Sequence, residues 1–294
     1  MARKATILSF EEIAYISEIF VSLGIEKIRL TGGEPMLRRN IETLVAKLAK
    51  LKPQLKDIAL TTNGFDIPRK AEALKSAGLD RMTISLDTLD THRFREITGV
   101  DRLEEVFAAI EAARAYGFEP VKINAVIVRG VNDDELVDFA RFARTTGVEM
   151  RFIEYMPLDS GHDWDRSKVV SGQEIFEKIN AAYPLELRNT DRGTETAWRY
   201  KFADGEPGGI GIIAPVTEMF CGACSRIRLT ADGQIRTCLF STVEHDLRDY
   251  LRSGATRAEI VDFIQQVTLK KEPRHRINDA DFVPASRTMS FIGG

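Results

Sequence analysis

Cysteine is scarce in this chain of 294 residues: there are three, Cys221, Cys224 and Cys238. An odd set confined to one short stretch does not build a disulfide framework and fits a reducing compartment. Long apolar runs are also missing. Nothing approaches the ~20 residues that cross a bilayer, and the opening MARKATILSFEEI has no signal-peptide apolar region. Nor is there an excess of one charge. Lys and Arg number 41 against 44 Asp and Glu, a net −3, which argues against nucleic-acid or membrane binding by general electrostatics. A local basic cluster can still hold one anionic ligand. These absences point to a cytoplasmic protein. Its length allows one α/β barrel with an appendage or two ordinary domains.

What is present is a strand-helix rhythm. Five β-branched-rich runs, 27–33, 57–64, 81–87, 121–128 and 149–156, read as strands covered on both faces. Helical patterns lie between them at 40–50, 68–77, 102–116 and 133–145. Gly24, Gly78, Gly117 and Gly147 stand where a helix ends before the next strand. Repeated β-α units of this spacing predict a parallel sheet closed into a full or partial barrel.

The start of the chain breaks the rhythm. Ser9 and Glu12 are spaced as a capping box, and Phe10, Ile13, Ile16, Phe20 and Leu23 form a helical apolar stripe. A helix stands where the series calls for a strand, so the run at 27–33 is expected to leave one edge unpaired. Beyond Met156 a loop is expected at 157–170, then helices at 171–182, 244–252 and 258–271.

The cysteines sit in FCGACSRIRLTADGQIRTCLF, where Asp232-Gly233 can turn the chain so that Cys238 approaches the Cys221-x2-Cys224 pair. Three thiolates are too few for a closed structural zinc site. They suit a four-iron cluster with one iron left open to a small molecule. Three buried, inert cysteines are the plain alternative. Arg226 and Arg228 are two apart, so on a strand they share a face with Cys224 and can clamp an anion, or form a solvated strand face. Ligands of a parallel sheet gather beyond its strand ends. There the sequence offers Gly32-Gly33-Glu34-Pro35, Thr61-Thr62-Asn63-Gly64, Ser85-Leu86-Asp87 and Glu154-Tyr155-Met156. Lys27, Arg29 and Lys122 lie on predicted strands, and an inward Arg29 would need an anion.

GGEP, TTNG, SLD, KINAV, RFIEYM, the FCGACSRIRLTADG hairpin with CLF, and the terminal Gly293-Gly294 follow one another as in one family. Over nearly its whole length the chain resembles the radical S-adenosylmethionine enzymes of molybdenum-cofactor biosynthesis. The resemblance implies a partial (βα)6-type TIM barrel missing its first strand over 1–160, and a C-terminal iron-sulfur region with the Gly-Gly tail over 161–294. It implies conversion of GTP to (8S)-3′,8-cyclo-7,8-dihydroguanosine 5′-triphosphate, started by a 5′-deoxyadenosyl radical made from S-adenosylmethionine at a first [4Fe-4S] cluster. By family position Gly33, Ser85 and Met156 would contact S-adenosylmethionine. Lys27, Arg29, Thr61, Lys122, Arg226 and Arg228 would contact GTP. Cys221, Cys224 and Cys238 would hold a second, substrate-side [4Fe-4S] cluster. A homodimer acting before cyclic pyranopterin monophosphate synthase is implied as well.

One departure stands out. The family's C-x3-C-x2-C motif, ligand of the first cluster, is absent, and every cysteine is accounted for by the hairpin. No catalytic residue can therefore be assigned. A strand and loop are expected to be missing, through a wrong start or truncation rather than a natural loss. The chain as written is expected to bind a cluster and GTP without starting the reaction. A non-catalytic iron-sulfur or GTP-binding module is the alternative.

Overall fold

The computed structural model describes residues 6–158, 164–188, 191–284 and 287–292; Gly293-Gly294 lie outside them. The chain opens with α1 (Phe10–Ser22), then runs β1 (Lys27–Leu30), α2 (Ile41–Ala49), β2 (Asp57–Thr62), α3 (Ile67–Ser76), β3 (Arg81–Ser85), α4 (Thr91–Thr98), α5 (Leu103–Ala115), β4 (Lys122–Ile127), α6 (Leu136–Thr146) and β5 (Glu149–Glu154). Next come α7 (Gly172–Ala182), β6 (Leu185–Leu187), β7 (Trp198–Phe202) and β8 (Gly209–Ile213). The hairpin strands β9 (Arg228–Leu229), β10 (Gln234–Arg236) and β11 (His245–Asp246) precede α8 (Leu247–Arg252) and α9 (Arg257–Leu269). No helix among the described residues is long and apolar enough to cross a membrane.

The main sheet runs β1-β2-β3-β4-β5-β8-β7-β6. Its first six strands are parallel, and β7 and β6 continue it antiparallel. Among the described strands β1 pairs only with β2, so it forms the sheet edge. The arrangement is an open β/α barrel wall, with fold and first-strand position as the rhythm predicted. Gly24, Gly78, Gly117 and Gly147 all have positive φ, between 74° and 101°.

The strands differ from the sequence reading in one respect. They are not apolar on both faces, because side chains alternate along a strand. Ile58, Leu60, Met82, Ile84, Ile123, Ala125, Met150, Phe152, Ile210 and Ile212 enter the core. The alternate positions, Arg29, Asp57, Thr61, Arg81, Thr83, Lys122, Glu149 and Arg151, put polar or charged groups on the other face. The runs looked continuous because Asp57, Arg81, Lys122 and Glu149 are the first residues of their strands, where they read as flanks.

A second core joins the two ends of the chain. Ile16, Ile19 and Phe20 of α1 pack with Leu8, Ile235, Leu247, Ile260, Ile264 and Val267. The Ser9 hydroxyl accepts from the Glu12 amide at 3.1 Å, and the Glu12 carboxylate accepts from the Ser9 amide at 2.7 Å, completing the capping box. That carboxylate also receives Arg252 of α8, at 2.7 and 3.0 Å. The apolar stripe of α1 was legible in the sequence, but its partner across more than two hundred residues was not.

Glu154 ends β5 and ties down two loops. Its Oε1 accepts from the Gly172 amide at 2.8 Å, and its Oε2 from the Val216 and Thr217 amides at 2.7 and 2.9 Å. It is fully buried. Glu154→Ala orphans these donors, and each buried unsatisfied group costs ~1–3 kcal/mol. A loss of about 3–5 kcal/mol in urea unfolding is expected. Glu186→Ala, on exposed β6, is expected to stay within about 0.5 kcal/mol.

Candidate functional site

The parallel register carries the polar face of the sheet from strand to strand. Arg29 stands beside Ala59, Thr61 beside Thr83, Thr83 beside Lys122, and Lys122 beside Glu149. Arg29 donates to the Thr61 hydroxyl at 2.9 Å and the Thr83 hydroxyl at 3.3 Å. Those hydroxyls give it no countercharge. Arg29 is exposed along the open edge, and desolvation by the neighbouring wall, then Arg151 and Arg81, pull its pKa down to about 10. Lys122 is buried, and desolvation followed by Arg151 lowers it to about 8, with Glu149 acting in the opposite sense.

Glu149 is the counterweight. Burial alone would raise its pKa, yet Arg151, Lys122 and Arg199 outweigh that and hold it at about 2. Arg81 and Asp57 form a second pair, with Arg81 Nε donating to Asp57 at 2.6 Å. The sheet face thus gathers Arg29, Arg81, Lys122, Arg151 and Arg199 around two carboxylates. Such an excess of confined positive charge suits an anionic ligand.

At the strand ends, Gly33 lies in a bend with φ +49°. Glu34 links that loop to β2, accepting from the Thr62 hydroxyl and the Asn63 amide, each at 2.7 Å. Ser85 ends β3 exposed, on the same face as Thr83. Asp87 just beyond it is pushed up to about 6 by burial, with the Val126 amide donating at 2.8 Å in opposition. Met156 is half-buried two residues past β5. Lys27 begins β1 exposed, on the face of Arg29 but away from the strand ends.

The hairpin turn is built by Thr230, Asp232 and Gly233. The Thr230 hydroxyl donates to Asp232 at 2.6 Å, and Gly233 has φ +81°. Regular pairing covers only Arg228–Leu229 against Ile235–Arg236. Ile227 and Leu229 pack toward the second core. Arg226 Nε and Nη2 each lie 3.3 Å from Cys224 Sγ, and its guanidinium sits 5.2 Å from the Phe220 ring centre. Burial, then Arg226, lowers Arg228 to about 10, while the Cys238 and Cys224 sulfurs push it back up. Arg226 also contributes, least of the causes, to lowering the pKa of Arg29.

Cys221 and Cys224 occupy one tight turn, with the Cys224 amide bonded to the Cys221 carbonyl at 3.0 Å. The His275 amide approaches Cys221 Sγ at 3.5 Å. Among the described residues no three Cys, His, Asp or Glu side chains converge to hold a metal ion. In kind, the donor set fits an iron-sulfur cluster: all three thiols belong to this hairpin, and Cys224 and Cys238 share Lys271 and Arg228 as cationic neighbours. Arg228 Nε is buried without a protein acceptor, as suits a donor reserved for a ligand.

Glu149, Arg151, Arg199 and His275 were not singled out by sequence. Glu149 and Arg151 had a signal: two charges two apart in EMRFIEYM must share a strand face. Arg199 had none, since it reaches Glu149 from an antiparallel strand fifty residues on.

Residues 1–143 match the family model described as Radical SAM superfamily, and 148–277 match Molybdenum Cofactor Synthesis C. The chain is similar to the GTP 3′,8-cyclase of Mycolicibacterium smegmatis, 44% identical over 98% of this chain and 81% of that one. It is similar to the GTP 3′,8-cyclase of Streptomyces coelicolor, 44% identical over 99% of this chain and 85% of that one. Among solved structures it resembles the histidine-tagged protein anSMEcpe with bound AdoMet, with TM-score 0.57 and 16% identity over 92% of this chain and 74% of that one. That likeness speaks to the fold alone.

The thiols differ in ionisation. Burial would raise Cys224, but hydrogen bonds and charge from Arg226 leave it below its ordinary value, whereas burial leaves Cys238 above. In metal-free protein, iodoacetamide is expected to alkylate Cys224 before Cys238 at pH 7–8. Arg226→Ala is expected to narrow the gap, as read by peptide mass spectrometry.

Proposed function

The chain belongs to the GTP 3′,8-cyclase family of radical S-adenosylmethionine proteins, and from that premise we propose that its site binds GTP for the joining of ribose C3′ to guanine C8, the first step of molybdenum-cofactor biosynthesis. The carrying observation is the cation-rich sheet face, where Arg29, Arg81, Lys122, Arg151 and Arg199 gather around two carboxylates. In this reading Lys27, Arg29, Thr61, Lys122, Arg226 and Arg228 bind the nucleotide, the arginines gripping phosphate oxygens. Gly33, Ser85 and Met156 bind S-adenosylmethionine at the strand ends. Cys221, Cys224 and Cys238 would hold the substrate-side [4Fe-4S] cluster, which supplies an open iron for guanine. The sheet fixes the ribose relative to the guanine that it attacks and keeps water out, which is the protein's share of such chemistry. A homodimer, a cytoplasmic location and delivery of product to cyclic pyranopterin monophosphate synthase complete the reading.

The absence of any cysteine outside 221–238 favours a second reading for these 294 residues taken alone. They bind GTP and one cluster without generating the radical.

Two measurements test this. Replacing Arg226 and Arg228 by alanine is expected to weaken GTP binding by ~10-fold or more while guanosine binding changes little, because the clamp reads phosphate. Equal losses for both ligands overturn the clamp. Protein of this sequence, purified anaerobically, is expected to carry about four irons and four sulfides per chain. Zinc in their place overturns the cluster assignment, and about eight irons overturns the single-cluster reading.

A further inference from the structure

At the start of β5, one carboxylate gathers three cations. Glu149 Oε1 accepts from Arg151 Nε at 2.8 Å and lies 3.6 Å from Lys122 Nζ, while Oε2 accepts from Arg199 Nη2 at 2.7 Å. Its side chain is 4% exposed, and those of Lys122 and Arg151 are 8% and 11% exposed. The four residues come from β4, β5 and β7. Their backbones place them at neighbouring positions, but only Glu149 joins them.

The adjoining strand is cut to fit. Glu149 stands beside Gly209 and Arg151 beside Gly211 on β8. A Cβ at Gly211 would meet Arg151 Cγ at 3.0 Å, tighter than ordinary van der Waals contact, so the glycine leaves the lane in which the arginine lies. Arg199 Nε is buried without a protein partner, so Glu149 does not exhaust the donors it gathers. A cluster serving stability alone would pair its charges and satisfy its donors. Here one buried carboxylate orients three cations, and only Arg199 has a second carboxylate near, Glu195 at 3.9 Å.

We propose that Glu149 is a positioning residue that holds Arg151, Lys122 and Arg199 in one fixed array, so that the sheet face recognises the oligophosphate of its nucleotide in preference to the nucleoside. The proposal rests on the nucleotide reading above and extends it to a group that does not touch the ligand. Fixing long cationic side chains in advance removes their ordering cost at binding, and a shift of 1 Å in such groups forfeits much of the interaction.

The test compares protein of this sequence with its Glu149→Gln and Glu149→Asp variants by calorimetry with GTP, guanosine and inorganic triphosphate, alongside thermal melts. In Glu149→Gln the preference for GTP over guanosine is expected to fall ~10-fold, triphosphate binding to fall with it, and guanosine affinity to stay within about twofold. Glu149→Asp, which keeps the charge with shorter reach, is expected to fall between. A lower melting temperature with the preference unchanged assigns Glu149 to stability alone and overturns the proposal. A stronger preference for GTP overturns it too, because removing the negative charge would then outweigh any loss of positioning. If Glu149→Gln does not melt cooperatively, Glu149→Asp decides on the same criterion. If wild type binds triphosphate but does not favour GTP over guanosine, the nucleotide reading fails. Loss of triphosphate binding in Glu149→Gln then still upholds the array. Wild type binding neither GTP nor triphosphate overturns both.

Discussion

Strand alternation confronts this chain with a charge problem. A parallel sheet whose helices cover one face must direct every second side chain to the other. Here those positions hold Arg29, Arg81, Lys122 and Arg151, with Arg199 reaching in from β7. Removing the buried ones, Lys122 and Arg151, from water costs several kcal/mol each unless they are paired. Asp57 answers Arg81, and Glu149 answers three cations at once. Arg29 is left with hydroxyl partners. Gly211 of β8 leaves room for Arg151, and burial first, then Arg151, lowers the pKa of Lys122.

The cysteine hairpin owes its place to the second core. Its own regular pairing is only two residues deep, too little to stand alone. Ile227 and Leu229 anchor one side in the α1, α8 and α9 cluster. Lys271, just past α9, bonds the carbonyls of Arg226 and Thr237 at 2.9 and 2.5 Å, one on each arm. The arm carrying Cys224 and the arm carrying Cys238 are thereby held to a single ammonium. Because α1 belongs to this core, the first helix of the chain helps aim a site formed near its far end.

Local signals made much of this legible. The Ser9–Glu12 capping box, the glycines after helices and the β-branched runs each depend on residues close together in sequence, and each was recovered within a few positions. The Cys-x2-Cys pair and the Asp232-Gly233 turn are equally local. The charged face was less visible. The run beginning at Glu149 reads as apolar because Met150, Phe152 and Ile153 dominate it, although the two-residue spacing of Glu149 and Arg151 was available. Helix α4 was passed over for want of an apolar stripe: among its residues only Phe94 is buried.

The sequence by itself determined the first five parallel strands, most of the helices, their order and the thiol-bearing hairpin, since each follows from short-range propensity and periodicity, whereas α4 and β6 to β8 were not legible in it. It also carried the family resemblance. Only the tertiary structure decided which charges meet. Lys122 and Glu149 lie side by side because strand register makes them so, and Arg199 joins them because β8 brings β7 alongside. Charge pairing is a matter of distance in space, and in a sheet that distance is set by strand order, which no single segment of the chain contains.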